Sequence, residues 1–363
     1  MREKLNWFHV AVLVYMIEFD VTAFSLARVT AENIGTNGWF ALVLTSMAAS
    51  INIFLYWAVY RIGKGQSFFQ IMESFVPRGP LVPAYLGLAA FWVLLGSLIG
   101  KNFVIVSQML SFQSTHPMYI FLLYCLLVYA MLVKDLYSIV KATTVFFLLS
   151  FWMNALVPYF LSDWKAVRLT PFLFQGSERA HSLQGWAEVF TAFVGYELCL
   201  FLFPHSDRKT KLFRGVLLGH LLISAAYVTT VFVTYGFFSF QQLKELQFPL
   251  INILEYLELP FLNRLENLVF MFFLFSNLVT TVMFCFASLS TLRHVFPRAK
   301  GKTLETVIVC LVFASGFLTK TVRESDEMLR ALYFTEMAIA FGLPLLLIPM
   351  AYFANRKGRG IEA

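Results

Sequence analysis

Glu18 and Asp20 stand two residues apart inside a long apolar run, Met16-Ile17-Glu18-Phe19-Asp20-Val21-Thr22. A charged side chain at the centre of a lipid bilayer costs about 2.5–3.5 kcal/mol on insertion scales, so one survives by pairing, by facing water or by working. Three further apolar runs carry such residues. One holds Lys101-Asn102, one holds Gly195-Tyr196-Glu197 with Glu188 nearer its start, and one holds Ser276-Asn277 and Thr280-Thr281. Asp20 and Glu197 have the chemistry to bind a cation or a ligand ammonium, or to take up and release protons. The functional reading groups Asp20, Lys101, Glu197 and Thr280 around one central cavity. The structural alternatives are an ion pair of Lys101 with Glu18 or Asp20, a Glu197 that caps unwound backbone amides, and a threonine pair bonded back to its own helix. In a continuous helix Glu18 and Asp20 point about 200° apart. They share a cavity only if the helix unwinds between them.

These residues must be positioned by membrane helices. The 363-residue chain is 59% hydrophobic and only 13% charged, against about 25% charged in an ordinary soluble domain. Its mean hydropathy is +0.72. This excludes a cytosolic enzyme, a disordered chain and a nucleic-acid binder. The net charge of +7 is spread over short segments with no block of like charge, so it is read as topology. The 41 Phe and 17% aromatic content suit a lipid-facing surface.

A bilayer core of roughly 30 Å takes about 20 apolar residues as helix. Ten such runs lie near 8–28, 38–60, 83–111, 117–133, 138–160, 186–203, 214–240, 265–290, 304–322 and 331–354. The first follows Arg2 and Lys4 and continues to Ala27 without a small-residue cleavage site, so it is expected to be a retained span. With both termini cytoplasmic, 18 of the 28 Lys and Arg fall on the inner side and nine on the outer, with Lys101 inside a span. That bias follows the positive-inside rule.

The expectation is an all-α polytopic membrane protein of ten helices. Residues 1–160 form a first five-helix repeat and 161–185 an extracellular connection. Residues 186–354 form a second repeat and 355–363 a basic cytoplasmic tail. Five spans per half place the halves in opposite orientations, as in an inverted-repeat transporter, whose first helix in each repeat is often broken at a midplane site. Here those are spans 1 and 6. The segment 241–264 reads as an amphipathic helix broken at Pro249 and Pro260, lying over the outer mouth or on the headgroups.

Other motifs point elsewhere than chemistry. Gly96-Ser97-Leu98-Ile99-Gly100 and Gly215-Val216-Leu217-Leu218-Gly219 let helices approach closely. The six histidines form no metal motif and lie mostly near span ends, where an interfacial role is expected. Cys125, Cys199, Cys285 and Cys310 show neither metal nor disulfide spacing. No phosphate-binding GxxxxGK[ST] loop occurs, and neither a cofactor nor a metal is expected. A membrane enzyme is disfavoured for want of any nucleophile or metal constellation.

Gly195-Tyr196-Glu197-Leu198-Cys199-Leu200-Phe201-Leu202-Phe203-Pro204 resembles the sixth-span motif of the endospore germination permeases. These are the B subunits of spore nutrient germinant receptors, within the amino acid–polyamine–organocation superfamily. Residues 248–266, from Phe248-Pro249 to Arg264-Leu265-Glu266, resemble that family's loop before span 8, and Leu169-Thr170-Pro171-Phe172 and the chain length also fit. The resemblance implies a ten-helix fold of leucine-transporter type, A and C subunit partners in the spore inner membrane, and a small polar nutrient bound between spans 1, 3, 6 and 8. It carries Asp20, Gly195 and Thr280 into that site, with Glu18, Lys101, Tyr196, Glu197, Asn277 and Thr281 beside them. The sequence departs from the family in two places. Span 1 lacks the usual glycine-rich break, and span 3 has Lys101 where an acid is usual. A charge swap of this kind favours an amine, a sugar or a neutral ligand over a ligand carboxylate. A proton-coupled amino-acid or amine transporter, and an accessory scaffold with a decayed site, are the alternatives.

Overall fold

The computed structural model describes residues 5–206, 210–257 and 264–359, with side chains to residue 353, and these residues contain helices and no strand. The helices are α1 Trp7–Glu18, α2 Thr22–Asn33, α3 Gly38–Ile62, α4 Phe68–Glu73, α5 Arg78–Leu110, α6 Pro117–Leu132 and α7 Leu136–Ser150. They continue with α8 Leu183–Phe190, α9 Leu212–Phe237, α10 Phe240–Glu245, α11 Pro249–Leu254, α12 Leu265–Val295, α13 Gly301–Ser315 and α14 Val322–Arg359. Beyond α8, a 3-10 helix runs over Tyr196–His205.

Six helical stretches are long and apolar enough to cross a membrane: α3, α5, Leu136–Ser162, α9, α12 and Val322–Phe353. Two bent pairs also pass, α1 with α2 at 61° and Leu183–Phe193 with Tyr196–His205 at 41°. These are the predicted spans 1 and 6, and both are broken. α6 and α13 fall at the predicted fourth and ninth spans. Their 16 and 15 residues rise only about 24 and 22 Å. Several boundaries differ from the sequence reading, among them the starts of α5 and α14. α5 begins at Arg78 and carries Pro83 inside it, beyond the first turn, so the helix lacks one internal bond there, the one to the carbonyl of residue 79. α14 begins at Val322, so its first two turns, polar enough to read as loop, are helix.

Lipid tails give no hydrophobic drive between helices, so close backbone contact must hold them together. The two glycine motifs provide it. A Cβ at Gly215 would lie 2.5 Å from the Trp7 carbonyl oxygen, and one at Gly219 would lie 2.3 Å from that of Ala11. α9 therefore rests directly on the backbone of α1. Gly96 brings α5 against α12 at Phe284. α12 is the most enclosed span and packs along α5.

Loops close the end of the bundle at the α2–α3 turn. Thr36 N donates to the Gln175 carbonyl at 2.8 Å and Phe174 N returns a bond to Thr36 at 3.0 Å. The central connection is thus tied to the α2–α3 turn. α10 and α11 pack on α2, with Leu243, Leu250, Ile253 and Leu254 buried. Their apolar side faces protein. The break predicted at Pro260, with Glu258 beside it, lies outside the described residues, as does the tail beyond residue 359.

Candidate functional site

The two broken spans meet at their breaks. Span 6 breaks at Val194-Gly195, and Gly195 has φ +129°, a conformation open to glycine and strained for other residues. A Cβ there would lie 2.6 Å from Ile17 Cγ2. The glycine is thus required twice, by its dihedral and by contact with α1. Span 1 breaks over Phe19-Asp20-Val21 without a glycine. Its freed carbonyls are met by side chains from other spans. Thr280 Oγ1 on α12 donates to Ile17 O at 2.9 Å, and Tyr227 Oη on α9 donates to Glu18 O at 2.5 Å. On the other side of the break, Asp20 Oδ1 accepts from Thr22 N at 2.8 Å and Oδ2 accepts from Tyr333 Oη of α14 at 2.9 Å. Asp20 thereby caps α2 with a carboxylate.

Glu18 and Asp20 diverge at the break. Glu18 Oε2 lies 2.9 Å from His220 Nδ1 of α9, both side chains wholly buried. His220 Nε2 reaches the Ser46 carbonyl at 3.1 Å. Sequence reasoning placed the histidines near span ends, and for His220 this is corrected. It sits one turn from the middle of α9, on the face that meets Glu18.

Lys101 pairs with neither carboxylate, so the ion pair named as its structural alternative is not formed. Its Nζ lies 3.0 Å from Met118 Sδ and 5.5 Å from the centre of the Phe121 ring, both on α6. The physical reason is that both acids are already engaged, Glu18 by His220 and Asp20 by Thr22 and Tyr333. Asn277 and Thr281 lie in the same α5–α6–α12 region as Lys101. Tyr124 Oη of α6 reaches Asn277 O at 2.9 Å and Thr281 Oγ1 at 2.8 Å, and Thr281 Oγ1 donates to Gly96 O at 3.0 Å.

The predicted site residues therefore divide. Glu18, Asp20, Gly195 and Thr280 gather at the two breaks. Tyr196 and Glu197 follow directly on the second. Lys101, Asn277 and Thr281 belong to a separate packing cluster. Glu197 Oε2 accepts from Gly195 N at 2.8 Å, the amide-capping role set out above. Tyr196 Oη accepts from Asn52 Nδ2 of α3 at 2.8 Å. Asn52 Nδ2 and Tyr56 Oη also converge on the Ala340 carbonyl at 2.9 and 2.8 Å. That carbonyl lost its helical donor because residue 344 is proline.

A cavity opens on the α2 side of Asp20, between α2, α5, α8 and α14. It offers about 110 Å³ to water centres and is lined by Ser25, Arg28, Asn102, Glu188, Asp326, Arg330 and Tyr333 among others, room for several waters or a small solute. Both signs of charge face it. Arg330 Nη1 lies 3.7 Å from Glu188 Oε1, and Asn102 Nδ2 donates to Asp326 Oδ1 at 2.9 Å. Sequence reasoning missed Arg28, Asp326 and Arg330, which it left in outer loops. Their one signal was charge next to predicted spans 1 and 10.

Comparison with known proteins agrees with this architecture. The spore germination protein family matches residues 4–354. No curated protein matches the chain in sequence. Among solved structures it is similar to Mhp1, a nucleobase-cation-symport-1 family transporter determined in a closed conformation with bromovinylhydantoin bound. The TM-score is 0.64 at 15% identity, over 96% of this chain and 78% of that one. At that identity the likeness is one of fold.

Proposed function

This chain belongs to the spore germination protein family, and on that premise we propose that it is the membrane subunit of a spore nutrient germinant receptor. It binds a small polar nutrient, amino-acid-like, amine or sugar, and passes a conformational change to A and C subunit partners in the spore inner membrane. In this reading α6 and α13 complete ten crossings in a five-plus-five inverted repeat with both termini cytoplasmic. The observation that carries the proposal is the contact of the two broken spans at Ile17 and Gly195, with the charged cavity directly outside it. Arg28 and Arg330 supply donors for an anionic or hydroxyl group, and Asp326 and Glu188 supply acceptors for an ammonium. Tyr333 lines the cavity and also holds Asp20, so a ligand there bears on the break. Rocking of one bundle against the other is the bistable element.

The test is germination of spores carrying Asp20→Asn, with the protein's presence in the membrane checked by immunoblot. The expected outcome is loss of the nutrient response at unchanged protein level. A normal dose curve removes Asp20 from the site.

A second reading, a proton-coupled amino-acid or amine transporter, is favoured by three carboxyls, Glu18, Glu197 and Glu336, buried within the helix bundle. Uptake of labelled amino acids, polyamines and sugars into proteoliposomes, with and without a pH gradient, separates the two. Saturable binding without uptake supports the receptor. Gradient-driven uptake supports the transporter.

A further inference from the structure

Glu197 and Glu336 come from different elements, the 3-10 half of span 6 and α14, and their side chains lie within hydrogen-bonding reach of each other. Each has one oxygen held by a fixed donor. Gly195 N–H donates to Glu197 Oε2 at 2.8 Å, and Trp92 Nε1–H of α5 donates to Glu336 Oε1 at 3.3 Å. The remaining oxygens, Glu197 Oε1 and Glu336 Oε2, are fully enclosed and have no donor among the described residues. The side chains are 2% and 0% exposed, so bulk water does not reach them.

Among the described residues, the surrounding groups supply no cation. Tyr56 and Asn52 face the pair from α3, Tyr196 and Cys199 from the same 3-10 helix, and Glu18 from α1. The Tyr56 hydroxyl is spent on Ala340 O. His220 is engaged with Glu18, and Lys101 lies against α6. Two ionised carboxylates in contact, out of water and without a counter-cation, repel strongly. One proton removes both difficulties. A carboxylic acid on one donating to the carboxylate of the other supplies a bond where no other donor exists and halves the buried charge. The aspartic-protease dyad behaves in this way, with two like groups sharing a proton.

We propose that Glu197 and Glu336 form a proton-binding site, a carboxyl–carboxylate pair that holds one proton between broken span 6 and α14. The pair joins two elements on either side of Trp92. Any movement that parts them ends the sharing and leaves each acid to gain or lose its own proton. This site stands apart from the nutrient cavity, and its test is read without nutrient, so it can fail independently of the receptor reading.

The experiment is infrared spectroscopy of the full-length chain in lipid nanodiscs at neutral pH, with glutamate carbon labelled to assign the bands. Wild type is expected to show a carbonyl band of a protonated glutamic acid. Glu197→Gln and Glu336→Gln should each abolish that band, because the introduced amide donates to the surviving carboxylate. Glu18→Gln should leave it in place. Absence of an acid band in wild type, or a band that survives both substitutions and disappears with Glu18→Gln, overturns the proposal. Should either variant fail to fold, the other decides together with Glu18→Gln: the band must vanish in the first and persist in the second. A band that responds to pH at fixed sodium and potassium supports the site. A band that responds to those cations at fixed pH overturns it.

Discussion

Replacing His220 by alanine should be one of the most damaging single changes in the bundle, and the hydrogen-bond geometry says how damaging. Ser46 Oγ donates to Ser224 Oγ at 2.7 Å, and Ser224 Oγ donates to the His220 carbonyl at 2.7 Å. Neither hydroxyl has a hydrogen left for the ring. His220 Nε2, 3.1 Å from the Ser46 carbonyl, must therefore carry a proton and donate it. The short contact from Nδ1 to Glu18 Oε2 then holds one proton, whether it rests on the ring or on the carboxyl. The pair is neutral as a unit in either case. His220→Ala removes the unit's base and leaves a buried acid beside an empty ring-sized space. Breaking a buried pair by removing one partner costs about 3–5 kcal/mol. Glu18→Gln is different, because its amide N–H can donate to a neutral Nδ1 with nearly the same shape. Its cost should be near that of one exchanged hydrogen bond, about 0.5–1.5 kcal/mol. With Gln at 18, His220→Ala no longer strands an acid, so the double variant should be more stable than the sum of the singles predicts, by about 0.5–3 kcal/mol. The assay is equilibrium unfolding of the purified chain in mixed micelles by added SDS, followed by tryptophan fluorescence. Equal damage from Glu18→Gln and His220→Ala, or strict additivity in the double variant, would refute the proton accounting.

Two further predictions concern the second break and the separate cluster. Gly195→Ala should destabilise by about 1–3 kcal/mol from its positive φ and by more from the contact with Ile17, so Ile17→Ala in the same chain should restore part of the loss and not all of it. Full restoration in the same SDS titration would show that the dihedral carries no strain. Lys101→Met should be neutral or stabilising by up to about 4 kcal/mol, since it exchanges a buried ammonium for an apolar chain of similar length; a loss of 3 kcal/mol or more would reveal a carboxylate partner.

Much of the fold was legible because its signals are compositional. Length and apolarity located α3, α5, α9 and α12, and the pair of small residues at 215 and 219 announced a close helix contact, whose partner in the structure is α1. Glu18 and Asp20 correctly marked span 1 as the place to look, since two acids so close in a lipid-embedded helix call for an unusual backbone. The pairing of charges was not legible. Matching Lys101 to an acid counted formal charges along the chain, whereas the contact partner of Glu18 is a histidine about two hundred residues away whose ring carries no fixed charge in a sequence. Glu336 was passed over for a similar reason. It lies in a stretch, Phe334-Thr335-Glu336-Met337, that reads as an ordinary helix start, and only the register of α14 against Trp92 and Glu197 gives it meaning. The cavity residues Arg28, Asp326 and Arg330 escaped because two helices run further outward than hydropathy allows. α2 continues to Asn33, and α14 starts at Val322.

The break in span 1 shows how a helix can be interrupted without glycine, and what that does to a ligand. Interrupting a helix frees carbonyls on one side and amides on the other, and in a membrane each must be met within the protein. Here the carbonyls of Ile17 and Glu18 are met by Thr280 and Tyr227, from α12 and α9. The Thr22 amide is met by Asp20, and the spare oxygen of Asp20 by Tyr333 of α14. Side chains from three other spans thus converge on the break, and any shift of α14 against α2 strains the Tyr333–Asp20 bond. The positive end of α2 already holds the chain's own carboxylate, in the position where a helix N-terminus otherwise welcomes an anionic ligand. Under the receptor reading, a nutrient carboxylate has no role at that helix end and meets Arg28 and Arg330 further out, while a cationic or neutral group can approach the Asp20–Tyr333 pair. Ligand chemistry and helix motion then depend on the same hydrogen bond, the one that closes a glycine-free break.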